Sequence, residues 1–320
     1  MSFENYDLDK VVDPKHPLRK IEKVISFKSL TYRIKDCASE LGRNGYGLEV
    51  AIRCLFLQFY DDHSDREMER ELRDSIALRW FCGFGITDKT PDHTYFCRMR
   101  KIIGTKRIGK LFKVINEKAK EKGMIGGVFS FVDATTIKTK EATWEERDKA
   151  LAEGEDKLNN RNIEDYSADP DARFGCKGKS KFWFGYKRNI CADMREGVIV
   201  RIAATPANVP DGEALRHTCP DGGMVFGDKA YGVKPAQIVM KTNNCHSGAI
   251  LKNNMKQKNK DKDKWLTKVR MPFEGLFSKD ETRARYRGTA KVQLQAFLEA
   301  MVHNVKRLVV VNCAPLFCEA

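Results

Sequence analysis

The rhythm of apolar and polar positions changes near residue 124. Before it, residues 48–60 (Leu-Glu-Val-Ala-Ile-Arg-Cys-Leu-Phe-Leu-Gln-Phe-Tyr) are apolar almost all round and stop at Asp61-Asp62-His63, a pattern that predicts a buried helix. Ser64 stands three residues before Glu67, the spacing of a capping box, and predicts a charged helix from Asp65 to Arg73. Thr90-Pro91 predicts a further start, with Thr as N-cap and Pro at the first helical position, leading into Tyr95–Lys101. The first 120 residues thus read as mostly helical. Short helices ending in one that carries Arg98, Arg100 and Lys101 fit a helix-turn-helix-like DNA reader, or a bundle with a solvated basic face.

Beyond residue 124, residues 128–138, 181–193 and 197–204 alternate or run apolar between Gly and charged residues. They predict three strands in an antiparallel meander that opens a mixed sheet. Residues 139–180 are polar and roughly charge-balanced, an expected excursion outside the core. A helix over 213–217, a strand over 224–227 and another at 249–251 follow. From Ala290 to Val310, Leu294, Phe297, Leu298, Met301, Val302, Val305, Leu308 and Val309 recur at helical spacing and predict an amphipathic helix packed on the sheet. The pattern divides the chain into a helical domain over 1–123 and an α/β domain over 124–320 with a polar insertion at about 139–180.

Composition narrows the partners. Over 320 residues, 58 Lys and Arg against 44 Asp and Glu leave a net charge of +14, which favours a polyanion, nucleic acid ahead of an acidic membrane. No N-terminal basic-plus-apolar signal occurs, and no apolar run approaches the roughly 20 residues of a membrane span, so a cytoplasmic, nucleoid-associated protein without a membrane partner is expected. Ten cysteines lack any CxxC pair and read as small buried hydrophobes; His217, Cys219, Cys245 and His246 lack the gaps of a structural zinc site. The Lys- and Asn-rich stretch Lys252–Lys268 fits a solvated loop or a phosphate contact.

Three carboxylates carry the candidate chemistry. Asp133 ends the run Val128-Phe129-Ser130-Phe131-Val132, Asp228 follows Met224-Val225-Phe226-Gly227, and Glu274 sits within Arg270-Met271-Pro272-Phe273-Glu274-Gly275-Leu276-Phe277. Phosphodiester hydrolysis is served by two divalent cations about 3.5–4 Å apart, and hard cations need oxygen ligands. Carboxylates at the ends of adjacent strands, joined by one from a neighbouring helix, can converge on such a pair. A chain with 44 acidic residues offers many triples, so the flanking residues decide.

Those flanks are Thr205-Pro206-Ala207-Asn208-Val209-Pro210-Asp211, Gly227-Asp228-Lys229-Ala230-Tyr231-Gly232, Arg285-Tyr286-Arg287-Gly288-Thr289-Ala290-Lys291 and Asn304-Val305-Lys306-Arg307. With Asp169-Pro170-Asp171-Ala172-Arg173, Phe184-Gly185-Tyr186-Lys187, Ser64-Asp65-Arg66-Glu67 and Thr90-Pro91-Asp92-His93, they resemble the DDE-type transposases of bacterial insertion sequences, nearest the insertion-sequence-five family, from about residue 16 to 310. The resemblance implies an RNase H-like mixed-sheet core behind a helix-turn-helix-like domain. It also implies two Mg2+ or Mn2+ ions per active site, and cut-and-paste movement of an element bounded by inverted repeats. The implied partners are the double-stranded DNA of repeats and target, and further copies of the chain in a homodimer or larger synaptic complex.

On this resemblance Asp133, Asp228 and Glu274 are the catalytic metal ligands, and Arg270, four residues before Glu274, contacts a phosphate. Tyr231 matches an aspartate-tyrosine signature or packs beneath the metal site. Where relatives carry a lysine seven residues after the glutamate this chain has Glu281, with Lys279 two residues earlier; Thr267 and Asn189 replace a tyrosine and a histidine of some relatives. No metal ligand is lost. Arg98, Arg100, Lys279, Arg283, Arg285, Arg287 and Lys291 are candidate DNA contacts, because a guanidinium fork suits phosphate oxygens and each neutralised phosphate steepens salt dependence. The implied reaction is water-driven cleavage at the element's end, then attack of the freed 3′-OH on target DNA, with no protein nucleophile. The rivals are a domesticated or inactive transposase-derived DNA-binding protein and a metal-dependent nuclease without strand transfer.

Overall fold

The computed structural model describes residues 7–37, 45–139, 143–178, 180–256, 258–275 and 283–313. The chain divides into two compact units, residues 1–119 with 297–320 and residues 120–296.

The first unit is helical: α1 (Leu8–Val11), α2 (Pro17–Val24), α3 (Phe27–Tyr32), α4 (Leu48–Tyr60), α5 (Asp65–Asp74), α6 (Ile76–Cys82) and most of α7 (His93–Glu121). Helix α4 is the buried helix the sequence predicts, with nine of its residues from Leu48 to Phe59 in the core. Phe56 on it meets Phe27 edge-on with ring centres 5.4 Å apart, and Phe27 meets Phe81 at 5.3 Å. The capping box forms at Ser64 and Glu67, each side chain bonding the other's backbone N–H. The start of α7 differs from the expectation. Asp92, not Thr90, caps it, accepting from the N–H groups of Thr94 at 2.8 Å and Tyr95 at 3.1 Å. A carboxylate one residue before the helix satisfies its orphan donors, so Thr90-Pro91 stays outside. Gly104, at φ 67, breaks α7 into two helical stretches.

Among the described residues of the second unit, six strands form one mixed sheet: β1 (Phe129–Lys138), β2 (Arg173–Lys177), β3 (Lys181–Asp193), β4 (Ile199–Pro206), β5 (Gly223–Gly227) and β6 (Cys245–Ala249). Strands β1, β3 and β4 make the predicted antiparallel meander. Strand β5 then pairs parallel with the other edge of β1, and β6 parallel with β5. Three antiparallel strands followed by two parallel ones beside the first make this an RNase H-like core. The last expected strand lies earlier, over Cys245–Ala249 instead of 249–251.

Helices α10 (Asp211–Ala214) and α11 (Lys234–Thr242) close one side of the sheet over Val132, Cys191, Val225 and Tyr231. Helix α12 (Lys260–Glu274) lies against β5, with Phe273 on Phe131 and Trp265 on Phe226. From Lys260 on the charge run is a helix, started by the Asn259 side chain, which accepts from the N–H groups of Asp261 and Lys262.

The polar stretch 139–180 contributes more to the core than expected. It holds α8 (Trp144–Ala152), α9 (Ile163–Tyr166) and β2, and Ala150, Ile163 and Ala172 are wholly buried. Helix α13 (Thr289–Cys313) begins in the second unit, where Gln293 Oε1 accepts from Ala204 N at 2.7 Å and its Nε2 donates to Ile202 O at 3.3 Å. From Phe297 it belongs to the first unit, packing on Phe112 with ring centres 5.6 Å apart. Its first turns meet the sheet, as expected. Cys37, Cys54, Cys82, Cys191, Cys219 and Cys245 are buried free thiols, as read, whereas Cys97 and Cys176 are exposed.

Candidate active site

Asp133 and Asp228 come together because β1 and β5 are parallel neighbours. The last paired residues are Phe131 and Phe226, and each aspartate stands two residues beyond its own. The two strands part there, β1 continuing along β3 and the chain turning away after Gly227. Such a divergence at the carboxyl ends of parallel strands opens a crevice that ligands use. Both aspartates are half-buried. Asp133 Oδ1 accepts from the Ala134 N–H at 2.8 Å, and Asp228 Oδ1 from the Ala230 N–H at 2.8 Å, so local backbone orients each carboxylate.

The Asp133 carboxyl is pushed up to about 6, first by burial and further by the charge of Asp228; the Ala134 N–H, Arg270 and Lys177 pull it down. A carboxyl raised by burial and by a neighbouring carboxylate is one whose charged form an added cation would favour. Oxygen donors in this state fit a hard divalent ion.

Tyr231 is buried beneath this pair. Its ring lies so close to Gly227 that a Cβ there would come within 2.8 Å of it, and burial, then the charges of Asp211, Asp133 and Asp228, hold its hydroxyl protonated. Of the two roles open to Tyr231 in the sequence, packing is the one observed.

Glu274 is the last residue of α12, with its side chain 54% exposed and 3.7 Å from Arg270. A carboxylate there opposes the negative end of the helix dipole, so local preference does not explain it. Arg270 is buried, its guanidinium 5.5 Å from the centre of the Phe131 ring. Phe131 and Asp133 point to the same side of β1, so α12 covers the side that carries Asp133. Among the described residues no three His, Cys, Asp or Glu side chains stand together closely enough to hold a metal ion. Asp133 and Asp228 are brought together; Glu274 is brought to the same side of the sheet and is engaged by Arg270.

Two family models match the chain, one described as Transposase DDE domain over residues 126–305 and one described as Transposase domain (DUF772) over residues 6–102. The chain belongs to the DDE transposase family. No solved structure matches it. The protein is therefore a DNA transposase, an enzyme of metal-dependent DNA strand cleavage and transfer, and its family uses divalent ions. Among the described residues no helix is long and apolar enough to cross a membrane.

The remaining candidate residues of the transposase fall in varied settings. Arg283 is exposed and makes an isolated bridge to Lys138 at the far end of β1; Arg287 and Lys291 are exposed, and Arg285 is half-buried with its N–H on Gln295 Oε1 at 2.8 Å. Arg98 is exposed on α7. Arg100 is engaged inside its unit, bonding Asp65 Oδ1 at 2.8 Å, Asp65 Oδ2 at 2.5 Å and Gln58 Oε1 at 3.2 Å. Lys279 and the competing Glu281 lie outside the described residues.

The structure also explains motifs that sequence reasoning left without a role. Asp169 is wholly buried and its Oδ1 accepts from Tyr186 Oη at 2.6 Å and from the Gly288 N–H at 3.0 Å, while Asp171 Oδ2 accepts from the Thr289 N–H at 2.8 Å. Three motifs distant in sequence thus cap the start of α13 together. Arg188, buried opposite Thr135 and so on the side of Asp133, had no signal that set it apart from other strand residues.

Proposed function

We propose that this transposase cuts the phosphodiester bonds at the ends of a mobile element and joins the freed 3′-OH to target DNA, with Asp133, Asp228 and Glu274 as the residues that would hold two Mg2+ or Mn2+ ions. The observation that carries this reading is the pairing of Asp133 with Asp228 at matching ends of two parallel strands, where burial and then the charge of Asp228 raise the Asp133 carboxyl. Bound divalent ions supply an activated water or hydroxyl and offset charge in the transition state. The protein's part is positional. The N–H groups of Ala134 and Ala230 fix one oxygen of each aspartate, and the Tyr231 ring beneath keeps the floor of the site dry and rigid. Arg270, held against Phe131, supplies a fixed positive charge toward the phosphate, and Arg283, Arg285, Arg287 and Lys291 line the DNA's approach. Arg98 and Lys279 are further candidate DNA contacts. Joining two ends calls for two sites, hence a homodimer or larger complex on DNA.

The test uses DNA carrying paired inverted repeats taken from the sequence flanking the gene, with Mg2+. Joined products are expected, EDTA should abolish cleavage and leave binding, and Asp133→Asn and Asp228→Asn should each bind DNA while cutting none. Cleavage without joining would reduce the protein to a nuclease, and binding alone would leave only the DNA-binding role. Glu274→Gln is expected to stop cleavage and Glu281→Gln to spare it; the reverse would move the third ligand to Glu281.

A further inference from the structure

A second junction of distant motifs joins Phe184–Lys187 and Thr205–Asp211 to the turn after Asp228. Side chains alternate along β1, so Val132 and Thr136 point away from the side that carries Asp133, and Lys187, paired with Thr136, shares their side. Strand β3 crosses the end of β1 at Gly185, whose φ is +148 and where a Cβ would strike Ile137 O. Gly185 O accepts from the Ala207 N–H at 3.1 Å, so the Thr205–Asp211 segment leaves β4 alongside Lys187. There the Lys187 ammonium donates to Val209 O at 2.9 Å and to Asp211 Oδ1 at 2.7 Å, with 14% of its side chain exposed. A charge so covered is costly unless paired and hydrogen-bonded. With both partners it pins the entry to α10 onto β3.

Helix α10 in turn bears on the segment that carries Asp228. A Cβ at Gly212 would stand 2.9 Å from Ala230 O and 2.6 Å from Val233 Cγ2, so the α10 backbone lies directly against the turn after β5. Ala230 is the residue whose N–H holds Asp228 Oδ1 at 2.8 Å, and the Tyr231 N–H closes the same turn on Asp228 O at 3.1 Å. A run of contacts thus leads from Lys187 through Asp211, Gly212 and Ala230 to the Asp228 carboxylate.

We propose that Lys187 and Asp211, acting through the close approach of Gly212 to Ala230, are positioning residues that fix the Asp228 carboxylate for divalent-ion binding. This rests on the reading of Asp228 as a metal ligand. Lys187 lies on the side of the sheet opposite Asp133, so its part is to hold the turn. A ligand already held in place gives up less freedom when it captures an ion.

The full chain is compared with Lys187→Met, Asp211→Asn, Gly212→Ala and Lys187→Arg, measuring Mn2+ binding by calorimetry without DNA, inverted-repeat DNA binding in EDTA, and cleavage as a function of Mg2+. The first three should each weaken Mn2+ binding and raise the Mg2+ midpoint for cleavage by between about 10- and 100-fold, the range for losing an outer partner of a metal ligand. Saturating Mg2+ should restore most of the cleavage, DNA binding in EDTA should stay parental, and Lys187→Arg, which keeps a charged donor, should stay near the parent. Arg173→Met, which removes an ion pair to Glu164 in the same unit, should lower the melting temperature without moving the Mg2+ midpoint. Parental Mn2+ binding in the first three variants, or a midpoint moved as far by Arg173→Met, overturns the proposal. If Lys187→Met does not fold, Asp211→Asn, which keeps the shape and drops the charge, decides alone. Asp228→Asn run alongside should lose both Mn2+ binding and cleavage. If it keeps both, the active-site reading falls; if it loses both while the other variants match the parent, only the positioning role falls.

Discussion

Arg98 and Arg100 stand two residues apart on α7, one exposed and the other with only 10% of its side chain exposed in a bidentate pair with Asp65. Replacing Arg98 by Ala should weaken DNA binding and leave the melting curve unchanged. Arg100→Ala should instead cost about 1–3 kcal/mol of stability, because Asp65 and Gln58 lose their charged partner. Denaturant melts and binding titrations of both variants check this, and the assignment fails if the two arginines exchange effects. The contrast was not legible in the sequence, because Asp65 lies 35 residues from Arg100 and only folding brings it near. Asp133 and Asp228 were legible as candidates because each closes an apolar strand. The effect of Asp228 on the Asp133 carboxyl depends on strand order and was not.

Elements with strong local signals formed where expected. The Ser64–Glu67 box depends on residues one turn apart, and α4 on an unbroken apolar run, so each is decided within its own segment. Helix α12 escaped recognition because, of its fifteen residues, only Leu266 and Arg270 are buried, too few to mark a stripe among lysines. Strand β2 escaped because it is short and edges a polar stretch, and its place depends on pairing with β3. The bend at Gly185 belongs to this scale. Gly185→Ala should destabilise the protein by at least about 1 kcal/mol, because its Cβ would strike Ile137 O. Gly222→Ala, where an added methyl meets nothing within 4 Å, is the control expected to leave thermal unfolding unchanged. A Gly185→Ala protein that melts like the parent would remove the bend from the account.

For the whole molecule, the +14 charge is the long-range property that matters, although some of it is spent internally. Arg53 pairs with Glu22 and Glu49, Arg79 is buried on the carbonyls of Gly85, Asp88 and Leu72, and Arg188 is buried in the sheet. The surface remainder should make DNA affinity fall steeply with salt. If six to ten phosphates are contacted, raising salt from 50 to 200 mM should weaken binding by about 10³–10⁵. A titration with nearly salt-independent affinity would show that the basic surface is not the DNA-binding surface.

Short-range patterns in the chain were enough to establish a helical front, a β-rich remainder, a basic character suited to DNA, and the motifs that mark a DDE transposase, because each depends on residues close in sequence or on composition. Folding decided which carboxylates meet, which arginines are engaged in internal ion pairs, and that strand β3 crosses the end of β1 at a glycine. Those outcomes depend on contacts between distant residues, whose strength is set by burial and strand order, and no local periodicity encodes either.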